Sequence, residues 1–243
     1  MRVARLVTTL VLTAHGSRDP RSAANTRAIA GHLRRVAPEH DVRVAFCEHN
    51  TPNLRDVLAD VGDDADDAVV VPFLLASAYH ARVDIPGMIE ESGTAVRVAP
   101  TLGEDRRLVQ VLGERLTSAG ASRFDPQLGV VAVAVGSSNA VANARTARVA
   151  DRLSRGTRWA GVEMAFATMA GSVPQAVERL RARGAARLMI APWFLAHGTI
   201  TDGIAEYARR EGIPMAEPLG AHRLVAATVL DRVETALADR LAA

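Results

Sequence analysis

The 243-residue chain contains no lysine and a single cysteine, Cys47. One cysteine cannot close an intramolecular disulfide, and it excludes a thiolate cluster as a metal site. Aromatic residues are scarce at 4%, and the 29 basic residues, all arginine, are offset by 27 acidic ones. With a net charge of +2 and no dense basic stripe, no nucleic-acid partner is expected. No apolar run approaches the roughly 20 residues that span a bilayer, so no membrane partner is expected either. Residues 1–12 carry two early arginines and a short apolar run. They are too short for a signal peptide and lack a small-residue cleavage site. They read as the start of a first strand, and a cytoplasmic location is expected. There is no Walker-type phosphate loop and no strand-linked GxGxxG, so no nucleotide or redox cofactor is expected.

What is present is patterning. At 49% apolar the chain has ample material for a core, and its length suits one large domain or two ordinary ones. Apolar runs of strand length alternate with longer segments of helical period, which predicts βαβ units and a parallel sheet. Strands are expected at 6–14, 41–46, 68–73 and 95–99, with helices at 21–36, 52–61, 86–92 and 104–119. After a linker over 120–129 the pattern restarts. Strands follow at 130–135, 161–166, 186–192 and 213–216, and helices at 139–152, 173–183, 201–210 and 222–241.

The restart is an internal repeat. Ala14-His15-Gly16-Ser17 falls on Ala134-Val135-Gly136-Ser137. At the same offset Ala45-Phe46 falls on Ala165-Phe166, and Pro72-Phe73-Leu74-Leu75 on Pro192-Trp193-Phe194-Leu195. Leu102-Gly103 falls on Leu219-Gly220, three residues short. The expected architecture is therefore α/β, with two similar domains from an internal duplication. Each would be a parallel four-stranded sheet flanked by helices: an N-terminal domain over 1–119, the linker over 120–129, and a C-terminal repeat over 130–243.

In parallel α/β sheets, ligands collect beyond the carboxyl ends of the strands. Three polar residues stand there in the first repeat and are missing from the second. His15 is matched by Val135, Glu48 by Thr168, and His80 by Ile200. Singly, each has an ordinary reading: a hydrogen-bonded histidine, a solvated loop carboxylate, and a cap of the segment 84–91. Their joint loss from the copy favours chemistry. Two imidazoles and a carboxylate suit a borderline divalent metal such as Fe²⁺, Co²⁺ or Zn²⁺, and so few ligands leave the site open. A neutral imidazole also accepts protons at cellular pH. His32 and His40 read as surface and His222 as structural, while His49 follows Glu48 in sequence without being assigned to the site. His197 sits at the mouth of the second repeat, where Ser77 lies in the first, and is the candidate for a contribution across an interdomain cleft. Cys47 reads as a small buried residue.

The sequence resembles the sirohydrochlorin chelatases, the class II chelatases of siroheme and cobalamin synthesis, in their long form with two fused copies. The resemblance rests on His15-Gly16-Ser17-Arg18-Asp19-Pro20 and on Phe46-Cys47-Glu48 followed by Pro52. It continues through Val71-Pro72-Phe73-Leu74-Leu75 to His80 and Asp84-Ile85-Pro86, with Leu102-Gly103 beyond. It implies that His15 and His80 handle the metal and that Glu48 is their acidic partner. The second repeat, departing at all three positions, would form the opposite wall of a tetrapyrrole cleft. The implied reaction, a lyase reaction, is insertion of Fe²⁺ or Co²⁺ into sirohydrochlorin, with His15 or Glu48 as base and no cofactor beyond the substrate metal. The many carboxylates of that substrate call for arginines and helix N-termini at the rim. Ser17, Arg18 and His197 are the candidates, with a solvated turn as the alternative for the first two. The lack of a histidine-rich tail favours iron. A fused pair has less need of dimerisation, so a monomer or weak oligomer is expected. Two alternatives stay open: a non-catalytic metal or tetrapyrrole carrier, and histidine-dependent phosphoryl transfer. The latter is weakened by Ala14, which stands where histidine phosphatases place an arginine.

Overall fold

Strand β1 (Thr9–Ala14) reads TLVLTA, and every one of its residues is buried. A strand covered on both faces shows no alternation and belongs at the centre of a parallel sheet. The computed structural model describes residues 8–62, 68–76 and 83–238, and β1 is central in it. With β2 (Asp41–Phe46), β3 (Ala68–Pro72) and β4 (Arg97–Val98) it forms one parallel sheet in the order β2-β1-β3-β4. Leu12 stands beside Val44 on one side and Val71 on the other. The crossovers carry α1 (Pro20–Val36), α2 (Leu54–Val61) and α3 (Ile85–Ser92). Helix α1 begins at Pro20, where a missing N–H is harmless, and Asp19 caps it by accepting the Arg21 N–H at 3.0 Å. Its inner face buries Ala23, Ile29, Ala30 and Leu33.

The second repeat builds the same pattern with β5 (Leu128–Ala134), β6 (Gly161–Phe166) and β7 (Arg187–Pro192), in the order β6-β5-β7. Helices α5 (Ala140–Ser154) and α6 (Ser172–Ala182) connect them, and α7 (Thr199–Arg210) follows. The fourth strand expected at 213–216 is reduced to one parallel bridge between Ile190 and Met215, so this sheet has three strands among the described residues. Pro214 and Pro218 flank the bridge and cannot donate to a ladder, which keeps the pairing short.

Packing divides the chain elsewhere than the repeat does. One compact unit is Met1–Gly103 with Ala221–Ala243, and the other is Glu104–Gly220. The packed bodies are therefore not the sequence repeats 1–119 and 130–243. Helix α4 (Arg106–Ser118) closes the first repeat in sequence but packs in the second unit, on α5 and β7. Helix α8 (Arg223–Ala238) closes the second repeat but packs in the first unit, on α1 and β3. Each switch follows a repeated leucine and a glycine of positive φ, Gly103 at 61° and Gly220 at 66°. Leu102 and Leu219 are fully buried, and their N–H groups donate to the Leu74 and Phe194 carbonyls just past the ends of β3 and β7. In the first unit Arg232 fastens α8 to the Thr101 and Leu102 carbonyls at 3.0 and 2.8 Å. In the second, Arg115 fastens α4 to the Leu219 carbonyl at 2.9 Å. No helix among the described residues is long and apolar enough to cross a membrane.

Truncating the chain after Gly220 removes buried Val225, Val229 and Val233 from the first unit and nothing from the second. Hydrogen exchange should then show lost protection in β1–β3 while β5–β7 keep theirs. Equal loss in both sheets would contradict this assignment of α8.

Candidate functional site

The site begins where β1 leaves the sheet. Gly16 has φ +97°, and a Cβ there would lie 1.8 Å from the Glu48 carbonyl oxygen. Only glycine permits that approach of backbone to backbone. Pairing between the two chains therefore runs past the strand ends. The Cys47 N–H donates to the Ala14 carbonyl and the Glu48 N–H to the His15 carbonyl, both at 3.0 Å. His15 and Glu48 are backbone partners before their side chains meet. The Ser17 N–H is taken by Asn50 Oδ1 at 2.8 Å, and the Ser17 hydroxyl accepts the Asp19 N–H at 3.1 Å, which leads the chain into the cap of α1.

The loop after β2 is tied down at its far end. The Phe46 N–H donates to the Pro52 carbonyl, and the Asn53 amide donates to the Cys47 carbonyl at 3.1 Å. Arg27 donates to the Thr51 carbonyl at 3.0 Å, with its guanidinium 5.3 Å from the centre of the Phe46 ring. A loop held at both ends presents its side chains in a defined place.

His15 Nε2 lies 2.8 Å from Glu48 Oε1, and His49 Nε2 lies 3.3 Å from that same oxygen. The three side chains are 30%, 49% and 35% exposed in the order His15, Glu48, His49. They are open to a ligand yet rooted at the end of a buried strand. His49 has φ 62° and is the one non-glycine residue of positive φ among those described. Burial pushes the Cys47 thiol up to about 11, with the Asp84 and Glu48 carboxylates adding to the effect. It stays protonated at cellular pH and, half-buried, packs against the apolar cluster of β1, α2 and β3.

The structure thus brings His15 and Glu48 together, and it adds His49, which sequence reasoning left unassigned. The repeat held the signal: His49 falls on Met169, as His15 falls on Val135. His80 and Ser77 lie outside the described residues. Among the described residues no group of three or more His, Cys, Asp or Glu side chains is arranged to hold a metal ion. Arg18 is exposed beside the site. His197 is in the second unit, with Nε2 2.7 Å from Glu217 Oε2. His222 accepts the Leu224 N–H at Nδ1, 3.2 Å away, which is a helix-capping role.

The second repeat keeps the scaffold. Gly136 has φ +95°, and the Thr168 N–H donates to the Val135 carbonyl at 3.0 Å. The Ser137 N–H finds an asparagine oxygen, here Asn143 at 2.9 Å. The chemistry is gone. The Thr168 hydroxyl turns back onto the Val135 carbonyl at 2.8 Å, and Val135, Met169 and Ile200 are exposed apolar side chains at 41%, 49% and 42%.

The CbiX family model matches residues 9–119 and again 129–236. A sirohydrochlorin cobaltochelatase of Priestia megaterium is 26% identical over 216 residues, covering 83% of this chain and 68% of that protein. A sirohydrochlorin ferrochelatase of the same organism is 24% identical over 240 residues, covering 93% and 89%. The solved structure of SirB from Bacillus subtilis with Fe³⁺ shares the fold, with a TM-score of 0.81 at 21% identity over 95% of this chain and 96% of that one.

Replacing Gly16 by alanine forces the Glu48 carbonyl away and should destabilise the protein by about 2 kcal/mol or more in denaturant melts. Gly87→Ala, in α3, where an added Cβ meets nothing within 4 Å, should instead raise stability by about 0.5–1 kcal/mol. Similar melts for the two variants would show that the close approach is not a constraint.

Proposed function

The chain belongs to the CbiX family, and on that premise we propose that it is a sirohydrochlorin chelatase that takes Fe²⁺ or Co²⁺ as its substrate metal. The observation that carries this reading is the contact of 2.8 Å between His15 and Glu48 at the carboxyl ends of β1 and β2. It occurs in one repeat and is replaced by Val135 and Thr168 in the other.

Insertion of a divalent ion into the ring releases two pyrrole N–H protons, so charge balances on exchange. The metal must be held loosely enough to leave, which favours few nitrogen and oxygen ligands over thiolates. His15 and His80 would hold it. Glu48, hydrogen-bonded to His15, would offset the charge of the ion. Either His15 or Glu48 would accept a pyrrole proton, since both are groups whose neutral or ionised forms are proton acceptors near neutral pH. Arg18, exposed next to His15, suits a substrate carboxylate through its paired guanidinium donors. Ser17 would serve the same rim through the hydroxyl proton left over from its turn. The exposed Val135, Met169 and Ile200 of the second unit offer no ligand to a second metal ion.

The purified protein, mixed anaerobically with sirohydrochlorin and either Fe²⁺ or Co²⁺, should convert the visible spectrum of the free ring to that of the metallated ring well above the uncatalysed rate. No acceleration with either metal would sink the proposal and leave a carrier. His15→Ala and Glu48→Ala should each lower kcat by about 100-fold or more with little change in melting temperature. His32→Ala, on the outer face of α1, should keep the parent rate.

A further inference from the structure

We propose that His49 is a positioning residue that holds the Glu48 carboxylate against His15. This rests on the chelatase reading of the same site and assigns to it a residue outside the resemblance.

Glu48 is the most exposed member of the cluster, at 49%, and a glutamate side chain that open to water samples many rotamers. A group that must meet both a metal ion and a pyrrole proton needs one orientation, because a small misplacement is magnified in rate. Two imidazoles converge on one oxygen of this carboxylate, His15 Nε2 at 2.8 Å and His49 Nε2 at 3.3 Å. With one contact the carboxylate would still pivot about it. The second contact restricts where that oxygen can move.

The backbone supports this. Among the described residues His49 alone adopts a positive φ without being glycine, at 62°. A histidine in the left-handed region is strained unless its surroundings impose it, and such strain gathers at functional sites. That conformation brings the imidazole back over the side chain of the preceding residue. The neighbouring contacts keep the turn in place: the Glu48 N–H on the His15 carbonyl at 3.0 Å, the Asn50 N–H on the Glu48 carbonyl at 2.7 Å, and Asn50 Oδ1 on the Ser17 N–H at 2.8 Å. The copy offers a control. At the matching position it carries Met169, next to a Thr168 that has no carboxylate to hold and bonds to its own scaffold.

The choice of variants separates the imidazole from the backbone. His49→Gly keeps the left-handed turn and removes the imidazole, whereas His49→Asn tolerates that turn and retains an N–H donor. Steady-state chelation and Co²⁺ binding without tetrapyrrole should be measured for the parent and both variants. His49→Gly should lower kcat about tenfold or more and weaken Co²⁺ binding by a similar factor, as loss of an outer-shell partner does. KM for sirohydrochlorin should stay within about twofold and the melting temperature should not fall. His49→Asn should recover much of both losses. Parent-like kcat and Co²⁺ affinity in His49→Gly would overturn the proposal. So would equal losses in the two variants, or a loss confined to KM for the tetrapyrrole, which would make His49 a substrate contact. If the parent binds Co²⁺ but does not accelerate chelation, the functional reading fails while the Co²⁺ series still decides the role of His49. If the parent binds no Co²⁺, both fail.

Discussion

Everything at the candidate site depends on a missing side chain. At Gly16 the Glu48 carbonyl oxygen occupies the place of a Cβ, and this closeness lets the chains that follow β1 and β2 stay paired beyond the sheet. Any other residue at position 16 would force the loop outward and separate His15 from Glu48. The contact of 2.8 Å between them follows from a backbone constraint, and the side chains need little independent ordering. The anchoring of the loop at Pro52 and Asn53, and its support by Arg27, complete a frame in which a half-exposed carboxylate is kept in one place.

The second repeat shows which parts of that frame are scaffold. It retains the glycine of positive φ, the backbone bond past the strand ends and the serine turn, with Asn143 of α5 receiving the serine N–H in place of the loop residue Asn50. These are what a parallel sheet needs in order to end in an open turn. At the positions of His15, Glu48, His49 and His80 it has Val135, Thr168, Met169 and Ile200. Within one chain, then, the same fold supports a polar edge and an apolar edge.

Much of this was legible in the residues themselves. The strands 41–46 and 161–166 were readable to the residue, because each is bounded by turn-forming residues and has few alternatives. The pairing of His15 with Glu48 followed from strand ends and from the repeat. The allocation of α4 and α8 was not legible. An amphipathic stripe such as Leu108, Val109, Leu112 and Leu116 says that a helix must be covered, not which of two similar sheets covers it. The missing fourth strand of the second sheet shows the limit of a repeat argument, since two prolines outweighed the analogy with β4. His49 stands beside Glu48 in sequence, but its contact with the carboxylate comes from a left-handed turn, a conformation that no periodicity announces.

The central claim is that one chain carries one metal-handling site, located on the first repeat and absent from the copy. Equilibrium dialysis of the purified chain against Co²⁺ tests it most directly. One ion bound per chain, lost in His15→Ala and unaffected by Val135→Ala, is the predicted result. Two ions per chain, or a single ion that survives His15→Ala, would contradict it.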